Sequence, residues 1–447
     1  MPNPPNDRLR ALLAECDWNT AQLAAAVRAV ADQHGQNLHC DRSTVSRWLS
    51  GTRPRPPAPA YLLEALSRRL SRPVTAAQAG LTRLQGDPLP SRLRWDGDPL
   101  RMLTELTHLQ LETAQWPSIT ADPLSLGSLS VPDYAELSDR RRSARPTSRM
   151  RGVGAAEIEA VRTMRRVFSA SSATFGGAHA RTALAAYLAH DVIRWVHSPA
   201  DGDVHRGLLS GTAQLTVLLG NMCADSGADA LAQHHYRAAA LLAAEARDTD
   251  TYAIAVRTLG THTDRLGHVG AARSLAQQAA DTARRAPSAI QAYVQAQLAV
   301  SEARCENPRQ ALAALRTAER LHSQASATDD PFTSYSLAGL HYQRAATLAA
   351  LGDRPGALTA LAYSLRQRDP DERRARALTH ARIAELLMQL GHLEEACSHW
   401  RALLDDHSGL RSSRSAQAVR GMRQYLRPHQ HRAEVGRLLA RGAAFGV

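Results

Sequence analysis

Ala232, Ala272, Ala311, Ala357 and Ala396 recur 40, 39, 46 and 39 residues apart, each inside the same pattern of small side chains. Twelve residues before them stand Gly220, Gly260, Ala299, Ala345 and Ala384, and seven after them Ala239, Ala279, Ala318, Ser364 and Leu403. Small residues at fixed places in each period let the two antiparallel helices of one unit, and the first helix of the next, approach closely. Five residues before each alanine lie Gly227, Gly267, Glu306, Gly352 and Gly391. Glycine suits a helix end because it enters the left-handed region without strain. Four residues after their alanines, Tyr236 and Trp400 supply bulk for packing. The pattern predicts stacked helical hairpins from about Thr212 to Asp406, with one offset of seven residues around Ser326 to Pro331.

This register resembles the tetratricopeptide repeat (TPR) family, with five windows agreeing at three positions each. The units are longer than the 34 residues typical of that family, and its closing proline is missing. The resemblance implies that this half of the chain binds something.

A chain of 447 residues has room for two or three domains. Hydrophobic residues make up 44% but aromatic ones only 4%, so the core rests on Ala, Leu and Val, as suits an all-helical protein. The net charge is +12, and all 54 Lys+Arg residues are arginine. A guanidinium fork suits phosphate and guanine contacts. Cys16, Cys40, Cys223, Cys305 and Cys397 form no CxxC pair, so neither a disulfide framework nor a zinc ribbon is signalled. The opening MPNPPNDRLR lacks the apolar run of a leader, and no stretch of eighteen apolar residues spans a bilayer. The expectation is a soluble, cytoplasmic protein with no membrane partner.

Residues 1–80 read as a helical head. Asp7 to Cys16 buries Leu9, Leu12 and Leu13; a second helix starts at Thr20 as N-cap and carries Leu23, Ala24, Val27 and Val30. In DRSTVSRWLSGTRPRPP, Asp41 or Ser43 caps a short helix, Val45, Trp48 and Leu49 face inward, and Gly51 ends it. Arg42, Ser43, Ser46 and Arg47 are left outside, a set able to read base edges in a major groove. Thr52, Arg53 and Arg55 on the Pro-stiffened loop offer phosphate contacts, and Ala60 to Leu70 closes the head.

The head resembles the XRE-type helix-turn-helix family through Gln22, Leu23 and Ala24, then Ser43, Val45, Ser46, Trp48 and Gly51. The resemblance implies that Arg42, Ser43 and Arg47 read bases. The interval from Ala31 to Cys40 is longer than that family's tight turn. An XRE-like head on a degenerate TPR body is similar to actinobacterial regulators of differentiation and secondary metabolism, and in layout to peptide-sensing quorum regulators.

Residues 81–154 read as a linker with one helix, Asp98 to Thr113, and a basic run of Arg140, Arg141, Arg142, Arg145, Arg149 and Arg151. Helical pattern returns at Ala155 to Phe168 and Ala178 to Val196, and the body, 155–447, closes with helices at Ala416 to Leu426 and Arg432 to Leu439. No P-loop, GxGxxG, GxSxG or HExxH pattern occurs, and no histidine pair has the spacing of a zinc site, so no catalysis, cofactor or metal is expected.

In the repeat register, positions fifteen, eleven and eight before the alanines face the concave side and include Asn221, Arg257, Thr261, Asp264 and Tyr342; Tyr293 and Arg304 fall on the same side. These groups suit a short peptide or an acidic small molecule. The sequence therefore predicts an all-α protein, a helix-turn-helix domain followed by a TPR-like superhelix. The expected function is a ligand- or peptide-responsive transcriptional regulator that binds double-stranded DNA as a homodimer. The alternative is a TPR interaction scaffold with a vestigial head.

Overall fold

The computed structural model describes residues 4–33, 37–70, 72, 74–81, 95, 97–112, 123–126, 129–140, 152–326, 330 and 332–446. Among them every regular element is a helix. The chain divides into two compact units, Met1–Pro132 with Ala228–His235, and Asp133–Gly227 with Tyr236–Val447. Arg141, Arg142, Arg145, Arg149 and Arg151 of the expected basic run lie outside the described residues.

The first unit holds α1 (Asp7–Glu15), α2 (Thr20–Gln33), α3 (Arg42–Leu49), α4 (Ala58–Leu70) and α5 (Pro99–Leu111). Asn6 caps α1, its side chain accepting from the Leu9 N–H at 3.0 Å, while its amide donates to the Ala79 carbonyl at 2.9 Å. The cap of α2 is Asn19, one residue before the expected Thr20. Asn19 Oδ1 accepts from the N–H groups of Ala21 and Gln22, and Gln22 Oε1 accepts from the Asn19 N–H. That reciprocal box satisfies three end groups at once, which a lone Thr20 hydroxyl cannot do. Leu9, Leu23, Val27, Val45, Tyr61, Leu62 and Leu66 form the core of the four-helix head. Helix α5, expected within a linker, belongs to this unit and buries Leu100, Met102, Leu103 and Leu106. Gln233 trades two 2.8 Å hydrogen bonds with the backbone of Ser125, an arrangement that mimics a sheet pair.

The second unit begins with α6 (Tyr134–Arg140), α7 (Ala155–Phe175) and α8 (Gly177–Tyr187). After a π turn at Leu188–Val192 come α9 (Ile193–His197) and α10 (Gly202–Asp225). Helix α11 (Asp229–Ala246) gives its first turns to the other unit. The hairpins are α12 (Thr249–Arg265) with α13 (Val269–Thr282), α14 (Ser288–Arg304) with α15 (Pro308–Ser323), α16 (Leu337–Ala350) with α17 (Arg354–Arg366), and α18 (Arg373–Gln389) with α19 (Leu393–His407). They are followed by α20 (Ser413–Leu426) and α21 (Ala433–Ala443).

The small-residue register organises this array. Ala232, Ala272, Ala311, Ala357 and Ala396 are all 0% exposed. A Cβ placed on Gly260 would meet the Leu275 Cβ at 3.1 Å and the Ala272 carbonyl at 3.4 Å, which is why the partner position of α12 must be small. All five turn positions take positive φ, between 61° at Glu306 and 89° at Gly267. Tyr236 and Trp400 are buried. The seven-residue offset is absorbed in the connection between α15 and α16.

The array does not stay open. Helix α7 touches α18, and the segment entering α20 lies against the junction of α7 and α8. There the Arg411 N–H donates to the Phe175 carbonyl at 2.8 Å, and the Ala178 N–H donates to the Arg411 carbonyl at 3.1 Å. Asp225, only 2% exposed, sits at this closure. It accepts from the Gly177 N–H and the Ser412 hydroxyl, both at 2.8 Å, and faces Arg374 at 3.4 Å. Space is tight, since a Cβ on Gly177 would come within 2.8 Å of the Asp225 Cβ. A second tie joins Arg165 of α7 to Asp330 at 2.7 Å, with the Arg165 guanidinium over the Phe332 ring.

Candidate functional site

Two groups of residues carry the functional expectations, one in each unit. In the head, Asp41 caps α3: its Oδ1 accepts from the Thr44 N–H at 2.7 Å and from the Ser43 and Thr44 hydroxyls at 2.8 Å. Those hydrogen bonds hold its carboxyl well below the usual carboxylate range. Val45 and Trp48 point into the core, leaving Arg42, Ser43, Ser46 and Arg47 exposed. Arg53 and Arg55 are also exposed, on the loop before α4. Arg28 donates to the Cys40 carbonyl and so pins the chain entering α3. Not all exposed groups are free: the Ser43 hydroxyl serves Asp41, the Ser46 hydroxyl donates to the Arg42 carbonyl at 3.0 Å, and Arg47 reaches Thr44 at 3.3 Å.

In the second unit a cavity of about 940 Å³ opens along the first helices of the hairpins. All seven concave-face residues named from the register line it: Asn221, Arg257, Thr261, Asp264, Tyr293, Arg304 and Tyr342. Several are committed to one another. The Arg257 guanidinium lies 3.7 Å over the Tyr293 ring and donates to its hydroxyl at 2.8 Å. Arg304 pairs with Asp264 at 2.7 Å, and burial nevertheless raises the Asp264 carboxyl above its ordinary value. Thr261 donates to Gln297 Oε1 at 2.9 Å, which also accepts from Gln343 at 3.1 Å. The Tyr236 hydroxyl donates to Asn221 Oδ1 at 2.9 Å, and burial raises its pKa.

Further lining residues were not among those named from the sequence: Arg265, Gln297, Gln343, Arg374, Arg382 and Arg414. The register already held part of this signal. Arg265 stands seven residues before Ala272, the same position as Arg304 before Ala311. Gln297, Gln343 and Arg382 each stand fourteen before their alanine. Arg414 lies on α20, beyond the repeats, and carries no such signal. Six arginines against Asp225, Asp264 and Glu306 make the lining basic. A cavity of this size, lined by small apolar side chains together with polar groups, has room for a small organic ligand or a short peptide.

A family model described as the SP15 N-terminal domain matches residues 9–82. No curated protein matches the chain. Among solved structures, a thermophilic TPR protein of Thermus thermophilus is similar at 23% identity and a TM-score of 0.34, covering 46% of this chain and 98% of the other. The apo form of RapI is similar at 11% identity and a TM-score of 0.41, covering 70% and 98%. The APC/C hetero-tetramer Cut9-Hcn1 is similar at 14% identity and a TM-score of 0.34, covering 94% and 68%. Among the described residues no helix is long and apolar enough to cross a membrane. On its own register of buried alanines and left-handed turns, the body is a TPR-like helical superhelix within an all-α chain.

Proposed function

We propose that the chain is a cytoplasmic, ligand-responsive regulator of transcription that binds double-stranded DNA as a homodimer through its head and senses a small molecule or short peptide in its body. The observation that supports it most is the cavity. Its polar lining comes from successive repeats, as a binding site would require and a mere packing defect would not. In the head, Arg42, Ser43, Ser46 and Arg47 on a capped helix would meet base edges, with Arg53 and Arg55 on phosphates. In the body, Asn221, Arg257, Thr261, Asp264, Tyr293, Arg304 and Tyr342 would hold the ligand. Binding rather than catalysis is the role proposed for both.

The test is a gel shift on the region upstream of the protein's own coding sequence. Arg42→Ala or Arg47→Ala should remove sequence preference, since a bidentate base contact discriminates by about 1–3 kcal/mol. Arg53→Ala and Arg55→Ala should weaken all DNA alike and flatten the salt slope by about one unit per lost phosphate contact. A second reading, an interaction scaffold with a vestigial head, is favoured by two features. One is the long interval between Gln33 and Arg42; the other is that the Ser43 and Ser46 hydroxyls already have partners. Wild-type protein that shifts no duplex at low salt would support that reading instead.

A further inference from the structure

Arg257 is a charge taken out of water without a counter-charge. It is 6% exposed, and no carboxylate of a described residue pairs with it. Three other arginines of the lining each meet a carboxylate: Arg304 meets Asp264 at 2.7 Å, Arg382 meets Glu385 at 2.9 Å, and Arg374 faces Asp225 at 3.4 Å. What Arg257 has instead is Tyr293, whose ring lies 3.7 Å from the guanidinium and whose hydroxyl accepts from Nη1 at 2.8 Å. The Tyr293 ring is held in turn by Tyr335, edge-on at 5.2 Å. Nε of Arg257 is sealed in without a partner; Nη2 also has none among the described residues but is not sealed, on a residue that lines the cavity. The aromatic face offsets part of the cost of burying a guanidinium, yet it leaves the charge in place for an anion on Nη2 to balance.

The next polar group along this wall is fixed by contacts as well. Thr261 stands one turn after Arg257 on α12, and Gln297 one turn after Tyr293 on α14. The Thr261 hydroxyl shares its proton between the Arg257 carbonyl at 3.1 Å and Gln297 Oε1 at 2.9 Å, so the second pair ties the same two helices as the first. Gln343 Nε2, on α16, donates to the same Gln297 oxygen at 3.1 Å, which leaves Gln343 Oε1 an acceptor with no partner among the described residues. Thr261, Gln297 and Gln343 all line the cavity. The wall therefore offers a cationic donor and, ~5 Å further along the helices, a neutral acceptor. One guanidinium matches a single negative charge, and the amide oxygen matches a hydroxyl donor.

We propose that this wall is a subsite for a small hydroxycarboxylate, whose carboxylate sits on Nη2 of Arg257 and whose hydroxyl donates to Gln343 Oε1. The inference rests on the reading of the cavity as a ligand site. The full chain is titrated by calorimetry at constant ionic strength and pH 7.5 with para-hydroxyphenylacetate, whose hydroxyl stands ~6 Å from its carboxylate, close to one helical pitch. Phenylacetate, para-hydroxyphenylacetamide and an acidic hexapeptide are titrated alongside. The hydroxy acid should bind about tenfold or more tighter than its amide and about threefold or more tighter than phenylacetate, as a charged and a neutral hydrogen bond respectively are lost. Arg257→Gln should remove the preference for acid over amide, and Arg257→Lys should keep part of it, as the charge stays and the fork goes. Gln343→Leu should remove the preference for the hydroxyl while leaving that for the acid. Arg366→Gln, an exposed arginine over Tyr363, should bind as wild type does. Melting curves for each variant separate lost binding from lost fold. Equal affinity for acid and amide in the wild type, a comparison that needs no variant, overturns the carboxylate subsite. So does an undiminished acid preference in a folded Arg257 variant, and an undiminished hydroxyl preference in folded Gln343→Leu overturns the place given to the hydroxyl. Binding of the peptide alone also overturns the inference but keeps the cavity as a ligand site, and binding of none of the four removes both.

Discussion

Glu306 occupies a turn position where the other four repeats have glycine, and it adopts the same left-handed conformation, with φ of 61°. The tertiary register has overridden a local preference, which costs of order 1 kcal/mol for a residue with a Cβ. Glu306→Gly should therefore raise stability by about 0.5–1 kcal/mol. Gly260→Leu should lower it by about 1–3 kcal/mol, because a side chain there meets the α13 backbone. Thermal or urea melts of the two variants check both signs together. At this scale much was legible in the sequence. The buried alanines, the left-handed turns and seven cavity residues follow from one period, since a residue's place in the repeat decides whether it faces a neighbour or the lumen. Arg414 and Arg374 were not legible, because they reach the cavity through the closure of the array and not through the period.

Helices show a different division. Their existence could be read from apolar spacing, while their ends depended on single side chains such as Asn19, whose competition with Thr20 for the cap is settled by Gln22 reaching back. Between α18 and α19 the fold creates a contact that no spacing signals: His380 Nδ1 and His399 Nδ1 lie 2.9 Å apart. One ring nitrogen must donate and the other accept, so the accepting ring is neutral and the two rings cannot both carry a proton on each nitrogen. His380 is pushed down to about 4 by burial first, then by the His399 and Arg376 charges. His399 is lowered too, chiefly by burial. The unfolded chain takes up a proton near pH 6.5 while the folded one resists until about pH 4. This contribution to stability is thus complete above about 6.5 and is lost as the pH falls toward 4. The melting temperature should drop across that window, and His380→Gln should flatten the drop while also lowering the plateau. A slope identical in both proteins would locate the titration in other groups.

An array of hairpins is usually a row in which each unit meets only its neighbours, so its stability is close to a sum of nearest-neighbour terms. Contacts of α7 with α18, and of the Arg411 to Ser412 segment with the α7–α8 junction, break that rule. Asp225→Ala removes the acceptor for Gly177 and Ser412 and leaves Arg374 without its carboxylate, a loss of about 2–4 kcal/mol for a buried charged acceptor with several partners. In an open row that loss would stay local to α10. In this closed array it should also lower the protection of α18 and α20 amides from hydrogen exchange, and an effect confined to α10 would count against the closure. Joined ends have one more consequence, seen when the chain is cut. The turn at Leu351–Asp353 between α16 and α17 is partly exposed and built on Gly352, a ready site for an engineered protease cleavage. In a row, the two fragments of the body would cling by the single interface at the cut. Here they hold each other at two places, like a bracelet opened at one link, so the nicked protein should elute as one species without denaturant and come apart once Asp225 is replaced.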